Sequence, residues 1–169
     1  MRLGEIKVLN WDDIDFNHLE IHITKSWDYD NNKITNYDSN EINKETKNKA
    51  LTRVIKVDQK LLDLLKQLKV NNQQRLFIDK AGTIPISNAV NKILRKQLDK
   101  LGIKKKGFHF HSLRHTHVAL LLFKEVDLYS ISKRLGHSNM SITAITYAYM
   151  LDDLEQKSDS QIVKVLDKI

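Results

Sequence analysis

The chain has 169 residues, of which 41% are hydrophobic, so its length and apolar content are those of one domain with a substantial core. Its 28 Lys and Arg residues exceed its 21 Asp and Glu residues, and the net charge of +7 favours an acidic polymer as partner without identifying one. The absence of cysteine excludes disulfides, thiolate metal sites and thiol catalysis, and no apolar stretch approaches the length that crosses a bilayer, so we expect a soluble cytoplasmic protein.

The N-terminal third predicts a short helix followed by strands. The helix covers Leu3 to Leu9, and Asn10 or Asp12 ends it. From Ile14 to Val57 the pattern of apolar and polar residues predicts a small antiparallel three-stranded sheet. The predicted strands are Leu19–Ile23, Lys33–Thr35 and Arg53–Val57.

Two polar segments separate the predicted strands. Asp28 to Asn32 has the composition of a turn and predicts a hairpin. Asn36 to Lys49 is mostly polar and charged and predicts an exposed loop. This loop would present Lys47 and Lys49 to solvent.

From Asp58 onward the apolar residues recur with a helical period. The first predicted helix has one apolar stripe, formed by Leu61, Leu62, Leu65 and Leu68. A short strand is possible at Leu76 to Ile78. The further predicted helices are Ser87–Leu101, capped by Ser87 and stopped by Gly102, then His111–Lys124, Leu128–Leu135 and Ser141–Met150. The expected fold class is therefore α+β, mostly α-helical, with the small sheet near the N-terminus.

A stretch in the C-terminal half contains the side chains needed to attack a phosphodiester without a metal. A phenol can displace an alkoxide at phosphorus only if cations hold the phosphoryl oxygens and the leaving oxygen receives a proton. Arginine supplies the cation, and histidine can move protons. The candidates are His111, Arg114, His137 and Tyr147, and His115 lies on the same helix face as His111 and Arg114.

Each candidate also has an ordinary structural interpretation. The helix face that begins at His111 could simply be solvated. His137 could be a packing residue after a helix stop, and Tyr147 a half-buried core residue. Tyr149 offers a second hydroxyl on another face of the same helix, and spacing alone does not choose between the two phenols.

In their order along the chain, these residues resemble the tyrosine recombinase family, whose members are also called phage-type integrases. The catalytic domain of that family begins with Arg-Leu/Ile-Gly-Glu and a Trp-x-Asp-like step, and it places a lysine on the hairpin that follows. It continues with His-x-Leu-Arg-His-Thr and Leu-Gly-His and ends with Thr-x-x-x-Tyr. The matching residues are Arg2, Gly4, Glu5, Trp11, Asp13, Lys47, His111 to Thr116, Leu135 to His137, Thr143 and Tyr147, with Lys49 as the alternative lysine.

The resemblance implies site-specific DNA recombination, the integration or excision of a mobile element, through a 3′-phosphotyrosyl intermediate on Tyr147. It implies that Arg2 and Arg114 clamp the non-bridging phosphate oxygens. The implied roles of the other site residues are protonation of the leaving 5′ oxygen by Lys47, acid/base catalysis by His111 and hydrogen bonding to the phosphate by His137.

The resemblance also implies the partners and the domain organisation. Double-stranded DNA would be bound by a homotetramer, without a cofactor or a metal. Family members have further helices and DNA-binding domains before the first arginine, so we expect residues 1–169 to be an N-terminally truncated catalytic domain. Its tail, residues 158–169, has a small apolar face and is expected to dock on a neighbouring protomer.

Two other classes of function remain open from the sequence. A histidine cluster is formed by His109, His111, His115 and His117. The spacing of His111 and His115 on a helix suits a zinc or nickel site, although no cysteine or carboxylate completes the set of ligands. The chain could also be a catalytically silent DNA-binding or assembly module, because non-specific DNA binding needs only basic charge.

Overall fold

The computed structural model describes residues 1–37, 51–69, 73–78 and 82–148. In these ranges the elements are α1 (Leu3–Lys7), a 3₁₀ turn (Trp11–Asp13), β1 (Ile14–Asp15), β2 (Glu20–Ile23), β3 (Lys25–Asp28), β4 (Lys33–Asn36), β5 (Arg53–Lys56), α2 (Gln59–Lys66), α3 (Ser87–Lys100), α4 (Phe110–Phe123), α5 (Leu128–Leu135) and α6 (Met140–Thr146). Helices predominate and the strands lie in the N-terminal part, which confirms the predicted α+β class.

The main sheet has three antiparallel strands in the order β1-β2-β5, as predicted for this part of the chain. Ile21 on β2 lies opposite both Ile14 and Ile55, and all three side chains are buried. The membership of the sheet differs from the prediction, because β1 takes the place of the strand predicted at Lys33–Thr35. Only two residues of β1 pair with β2, which is too short for an alternating pattern to reveal.

β4 instead forms a separate two-stranded hairpin with β3. The predicted turn joins them, and Asp28 Oδ1 accepts hydrogen bonds from the backbone N–H groups of Asp30 and Asn31 at 3.0 and 3.2 Å. Every residue of β3 is half-buried. The strand therefore lacks the alternation of buried and exposed residues by which sequence patterns reveal strands.

One core lies between the main sheet and α2. Its buried members are Leu9, Ile14, Ile21, Ile23, Tyr37, Ile55, Leu62, Leu65 and Leu76. Asp58 caps α2 by accepting a hydrogen bond from the backbone N–H of Leu61 at 2.9 Å. Only part of the predicted leucine stripe enters this core, because Leu61 and Leu68 are exposed.

α1 ends at Lys7, two residues earlier than predicted, and the chain then turns inward so that Leu9 is buried. The Leu9 carbonyl accepts a hydrogen bond from the backbone N–H of Leu76 at 3.0 Å, and Asn10 forms an isolated bridge with Arg75. The prediction of a strand at Leu76 to Ile78 is wrong, because the structure has no strand there and pairs only the preceding Arg75 in an isolated bridge.

The C-terminal helices share a second core, which consists of Val118, Leu122, Ile131, Leu135 and Tyr147. α5 has the predicted bounds, and α4 begins and ends one residue earlier than predicted. α6 spans Met140–Thr146 and begins one residue before the predicted Ser141, while the predicted end at Met150 lies outside the described residues. Gly136, with φ of 69°, ends α5 in the left-handed conformation that glycine adopts without steric cost.

α3 buries less than its apolar pattern predicts. It has no fully buried residue, and Ile93 is 62% exposed. Its link to α4 is a hydrogen bond of 2.7 Å from the backbone N–H of Phe110 to Asn91 Oδ1. Ser87 is its first residue rather than its cap, and Gly102 follows its end with φ of 70°.

Three further expectations fall outside the described ranges. They concern the loop that carries Lys47 and Lys49, the alternative phenol of Tyr149, and the docking of residues 158–169. Within the ranges that are described, no helix combines the length and the apolarity that crossing a bilayer requires.

Candidate active site

Arginines from three separate segments meet at the C-terminus of α5. Three consecutive backbone carbonyls there each accept a hydrogen bond from a different guanidinium group. The pairs are Arg53 with the carbonyl of Arg134 at 2.9 Å, Arg114 with that of Leu135 at 2.7 Å, and Arg2 with that of Gly136 at 3.3 Å. The last carbonyls of a helix lack partners within the helix and carry the negative end of its dipole, so they attract cations.

The carboxylate of Glu5, on α1, braces two of these arginines. Its side chain is fully buried, and its two oxygens bind Arg53 through Nη1 and Nη2 at 3.0 and 2.9 Å. It also accepts hydrogen bonds from the backbone N–H of Arg2 at 2.6 Å and from Arg2 Nη1 at 3.3 Å. Burial by itself would raise the pKa of Glu5, but the bonds from Arg53 and Arg2 outweigh it and leave that pKa below its usual value.

Arg114, on α4, has one buried guanidinium nitrogen without an acceptor among the described residues. Its Nη2 donates to the Leu135 carbonyl and to His137 Nε2, the latter at 3.0 Å. Its Nη1 is buried, and no acceptor for it occurs in the described part of the chain. Burial, followed by the charge of Arg2, lowers the pKa of Arg114 to about 10. The site therefore holds a desolvated cation with a donor that an anion can satisfy.

His137 is held between Arg114 and α6. Because the guanidinium donates to Nε2, the ring proton is assigned to Nδ1, which donates to the buried Thr143 Oγ1 at 2.7 Å. Burial, and then the charges of Arg114 and Arg2, lower the pKa of His137 to about 4, so the ring is neutral near pH 7. In this arrangement Nε2 is an acceptor, so a hydrogen bond from it to phosphate requires that Arg114 release it and that the nitrogen gain a proton.

Tyr147 follows α6 directly, and its ring is buried against the helical core. Its phenol oxygen lies 2.6 Å from Nδ1 of His115 on α4. The ring of His111 contacts the ring of His115 edge-on, with 5.0 Å between the centroids. Burial, and then the neighbouring His115 and Arg114, lower the pKa of His111.

The structure thus brings four of the six predicted site residues into one set of contacts. Arg2, Arg114 and His137 meet around the end of α5, and Tyr147 belongs to the same buried core as Leu135 of that helix. His111 adjoins this set through His115, and Lys47 lies outside the described residues. Sequence reasoning gave no role to Arg53, whose position on a strand carries no signal of its contact with α5.

The histidine cluster does not converge on one ion in the described residues. His117 Nε2 accepts a hydrogen bond from Arg134 Nε at 3.2 Å, and His109 Nδ1 lies 2.9 Å from the Gly107 carbonyl. Among the described residues, the group of three potential ligands within reach of a common ion is Asp15, Glu20 and His22, on the strands. Among the described residues, the zinc or nickel hypothesis therefore lacks a ligand set at the candidate active site.

Residues 1–153 match the phage integrase family, so the chain belongs to that family. It is 30% identical to the tyrosine recombinase XerC-like protein of Caldanaerobacter subterraneus subsp. tengcongensis, over 89% of this chain and 43% of the relative. It is 28% identical to the ICEBs1 integrase of Bacillus subtilis, over 98% of this chain and 46% of the relative. The chain spans less than half the length of either relative.

A solved structure has the same fold. The Tn1549 transposon integrase, determined in complex with circular intermediate DNA, superposes with a TM-score of 0.69 at 16% identity, over 85% of this chain and 50% of that one. The superposition confirms the fold class, and the family match confirms the resemblance seen in the order of the motifs.

Lowering the pH from about 7 to about 5 should destabilise the chain more than it destabilises the His137→Gln variant. The folded state holds the pKa of His137 at about 4, below its ordinary value of 6.5. Protonation therefore favours the unfolded state. The contribution of neutral His137 to the free energy of unfolding is fully present above the ordinary pKa of 6.5 and is lost as the pH falls toward 4. Urea unfolding at several pH values measures the difference.

His18→Gln is the matched control. A hydrogen bond with Asp15 raises the pKa of His18, so its contribution has the opposite sign and is lost as the pH rises. His111 and His117, whose pKa values burial also lowers, are present in both proteins and cancel in the comparison. Equal pH dependence in the unchanged chain and in His137→Gln would contradict the prediction.

Proposed function

We propose that the chain breaks and rejoins DNA strands at specific sites, with Tyr147 as the nucleophile. One observation carries the proposal: Arg114 holds a buried guanidinium nitrogen, Nη1, for which the described residues provide no acceptor. A phosphate oxygen is an anion that satisfies such a donor. Membership in the phage integrase family and the names of its relatives support the same reaction.

In the proposed reaction the phenol oxygen of Tyr147 forms a bond to phosphorus while the bond to the 5′ oxygen breaks. Negative charge accumulates on the non-bridging oxygens, where Arg114 and Arg2 stabilise it. The product is a 3′-phosphotyrosyl link that keeps the energy of the original bond. The 5′ hydroxyl of a DNA strand can therefore attack the link and restore the phosphodiester.

Double-stranded DNA is the proposed substrate. A cleft of about 770 Å³ lies beside His137, and its cationic lining consists of Arg53, Lys56, Lys133 and Arg134. Such a surface attracts the phosphate backbone, as does the net charge of +7. The complex of the Tn1549 integrase with circular intermediate DNA supports integration or excision of a mobile element as the process. We propose a cytoplasmic location, which suits a chain without cysteine.

Tyr147→Phe should abolish covalent attachment of the chain to DNA, because phenylalanine lacks the attacking oxygen. A nicked duplex traps the adduct, because the short downstream segment that carries the new 5′ hydroxyl diffuses away. A denaturing gel then measures the adduct. Tyr29→Phe is the matched control, because Tyr29 is exposed on the turn between β3 and β4, and it should leave the adduct unchanged.

The other outcomes of this experiment are informative. An adduct that persists in Tyr147→Phe would assign the nucleophile elsewhere, with Tyr149 as the next candidate. Salt-sensitive DNA binding without an adduct in the unchanged chain would favour the catalytically silent DNA-binding module.

We propose Lys47 as the acid that protonates the leaving 5′ oxygen. Lys47→Ala should slow cleavage of ordinary DNA by roughly 10²–10⁴-fold, the usual contribution of an acid catalyst. A substrate with sulfur in place of the leaving 5′ oxygen should restore the rate, because a thiolate leaves without a proton. Lys49→Ala is the matched control. If the sulfur substrate rescues Lys49→Ala alone, Lys49 and not Lys47 is the acid. If it rescues neither variant, neither lysine has this role.

We also propose that the chain acts as a homotetramer on DNA, with residues 158–169 of each copy docked on a neighbour. Exposed apolar side chains of α4 and α6 support an interface of this kind, and they include Leu120, Phe123, Ile142 and Ile145. Deleting residues 158–169 should reduce the mass of the DNA complex in sedimentation experiments. An unchanged mass would make these residues a local cover of their own chain.

A further inference from the structure

We propose that His115 is the catalytic residue that takes the proton from Tyr147 as the phenol attacks phosphorus, an inference that rests on the proposed function. The distance of 2.6 Å between His115 Nδ1 and the phenol oxygen is that of a short hydrogen bond. A base must lie within hydrogen-bonding reach of the proton that it removes, and this contact meets the condition before any substrate is bound.

The other imidazoles of the site are placed differently. His137 uses both ring nitrogens, one with Arg114 and the other with Thr143. His111, to which the resemblance gives the acid/base role, contacts the ring of His115, and the ring of His115 in turn contacts that of Tyr147. Because His115 is hydrogen-bonded to the phenol, we assign the acid/base role at the nucleophile to His115 instead of His111.

His115 lies at one end of a row of exposed histidine rings. It lies on the exposed side of α4, and the rings of His111 and His109 follow it toward the start of the helix at centroid distances of 5.0 and 6.4 Å. Among the described residues, the arginines whose charge acts on His111 are Arg114, on the same helix, and Arg2, just before α1.

The proposed step balances as follows in atoms and charge. The O–H bond of Tyr147 breaks, and its proton moves to Nδ1 of His115, whose Nε2 already carries the other ring proton. The oxygen electron pair forms the bond to phosphorus, the bond to the 5′ oxygen breaks, and that oxygen takes a proton from the acid, for which Lys47 is proposed. In rejoining, His115 returns the proton to the phenol oxygen.

The base matters because a tyrosine phenol rarely ionises unaided. Near neutral pH only roughly one free phenol in a thousand is a phenolate. A positioned base typically contributes about 10²–10⁴-fold to the rate. His115→Asn removes this contribution while keeping an oxygen close to the position of Nδ1, where it can still accept a hydrogen bond from the phenol. The variant should therefore form the covalent adduct about 10²–10⁴-fold more slowly.

Rescue by a more acidic phenol separates a base from a packing residue. A fluorinated tyrosine at position 147 ionises more readily and needs less help from a base. It should restore most of the rate of His115→Asn and change the rate of the unchanged chain little. The variant's rate should also keep rising with pH where the rate of the unchanged chain has levelled off. His109→Asn is the matched control, because His109 is an exposed histidine next to α4 without contact to the phenol.

The outcomes distinguish the two proposals. No Tyr147-dependent adduct in the unchanged chain would overturn the proposed function and this inference with it. A normal adduct with His115→Asn as fast as the unchanged chain, or slow without rescue by the fluorinated tyrosine, would overturn this inference alone. If the variant does not fold, nitrogen NMR of the unchanged His115 decides: a change of the Nδ1 signal in Tyr147→Phe supports the contact, and an unchanged signal overturns it.

Discussion

The buried contact between Glu5 and Arg53 is the interaction on which the geometry of the site depends. It joins α1 to β5, and Arg53 reaches onward to the end of α5. The same carboxylate holds the backbone and the side chain of Arg2. Removing one partner of such a pair leaves a buried charge without compensation, which costs several kcal/mol in comparable proteins, about 3–5 kcal/mol. The carboxylate of Glu5 thereby positions Arg2, which is predicted to bind the phosphate, although Glu5 is not itself predicted to contact the substrate.

The C-terminal end of α5 brings the arginines together so that they can bind an anion. Its last carbonyls gather three guanidinium groups, and the left-handed Gly136 lets the chain leave the helix so that His137 turns toward Arg114. The cations outnumber the carboxylate that faces them in the described residues, and Arg114 keeps an unused buried donor. An unsatisfied buried donor costs about 1–3 kcal/mol. A bound anion would recover this energy, so the arrangement favours the occupied state.

Local patterns were sufficient for the helices that carry the site and insufficient for the contacts between them. The period of α5 and the stop at Gly136 are visible in the sequence, and so is the turn between β3 and β4. The two-residue β1 and the half-buried β3 carry no alternation, so the pairing of the strands was not predictable. The motifs pointed to Arg114 and Tyr147. Arg53 binds Glu5, 48 positions away, and His115 binds Tyr147, 32 positions away, and a local sequence pattern contains no information about such distant contacts.

The positions of the histidines suggest how charge moves during the proposed reaction. His137 lies among the arginines, where burial and their charge keep it neutral, so it is poorly suited to accept another proton. His115 lies on the exposed side of α4 and meets the phenol there. A proton that moves from Tyr147 to His115 therefore leaves the arginine cluster, while the negative charge of the attacking oxygen stays near Arg114. The phosphate and the phenolate then share the same cations, which links ionisation of the nucleophile to binding of its substrate.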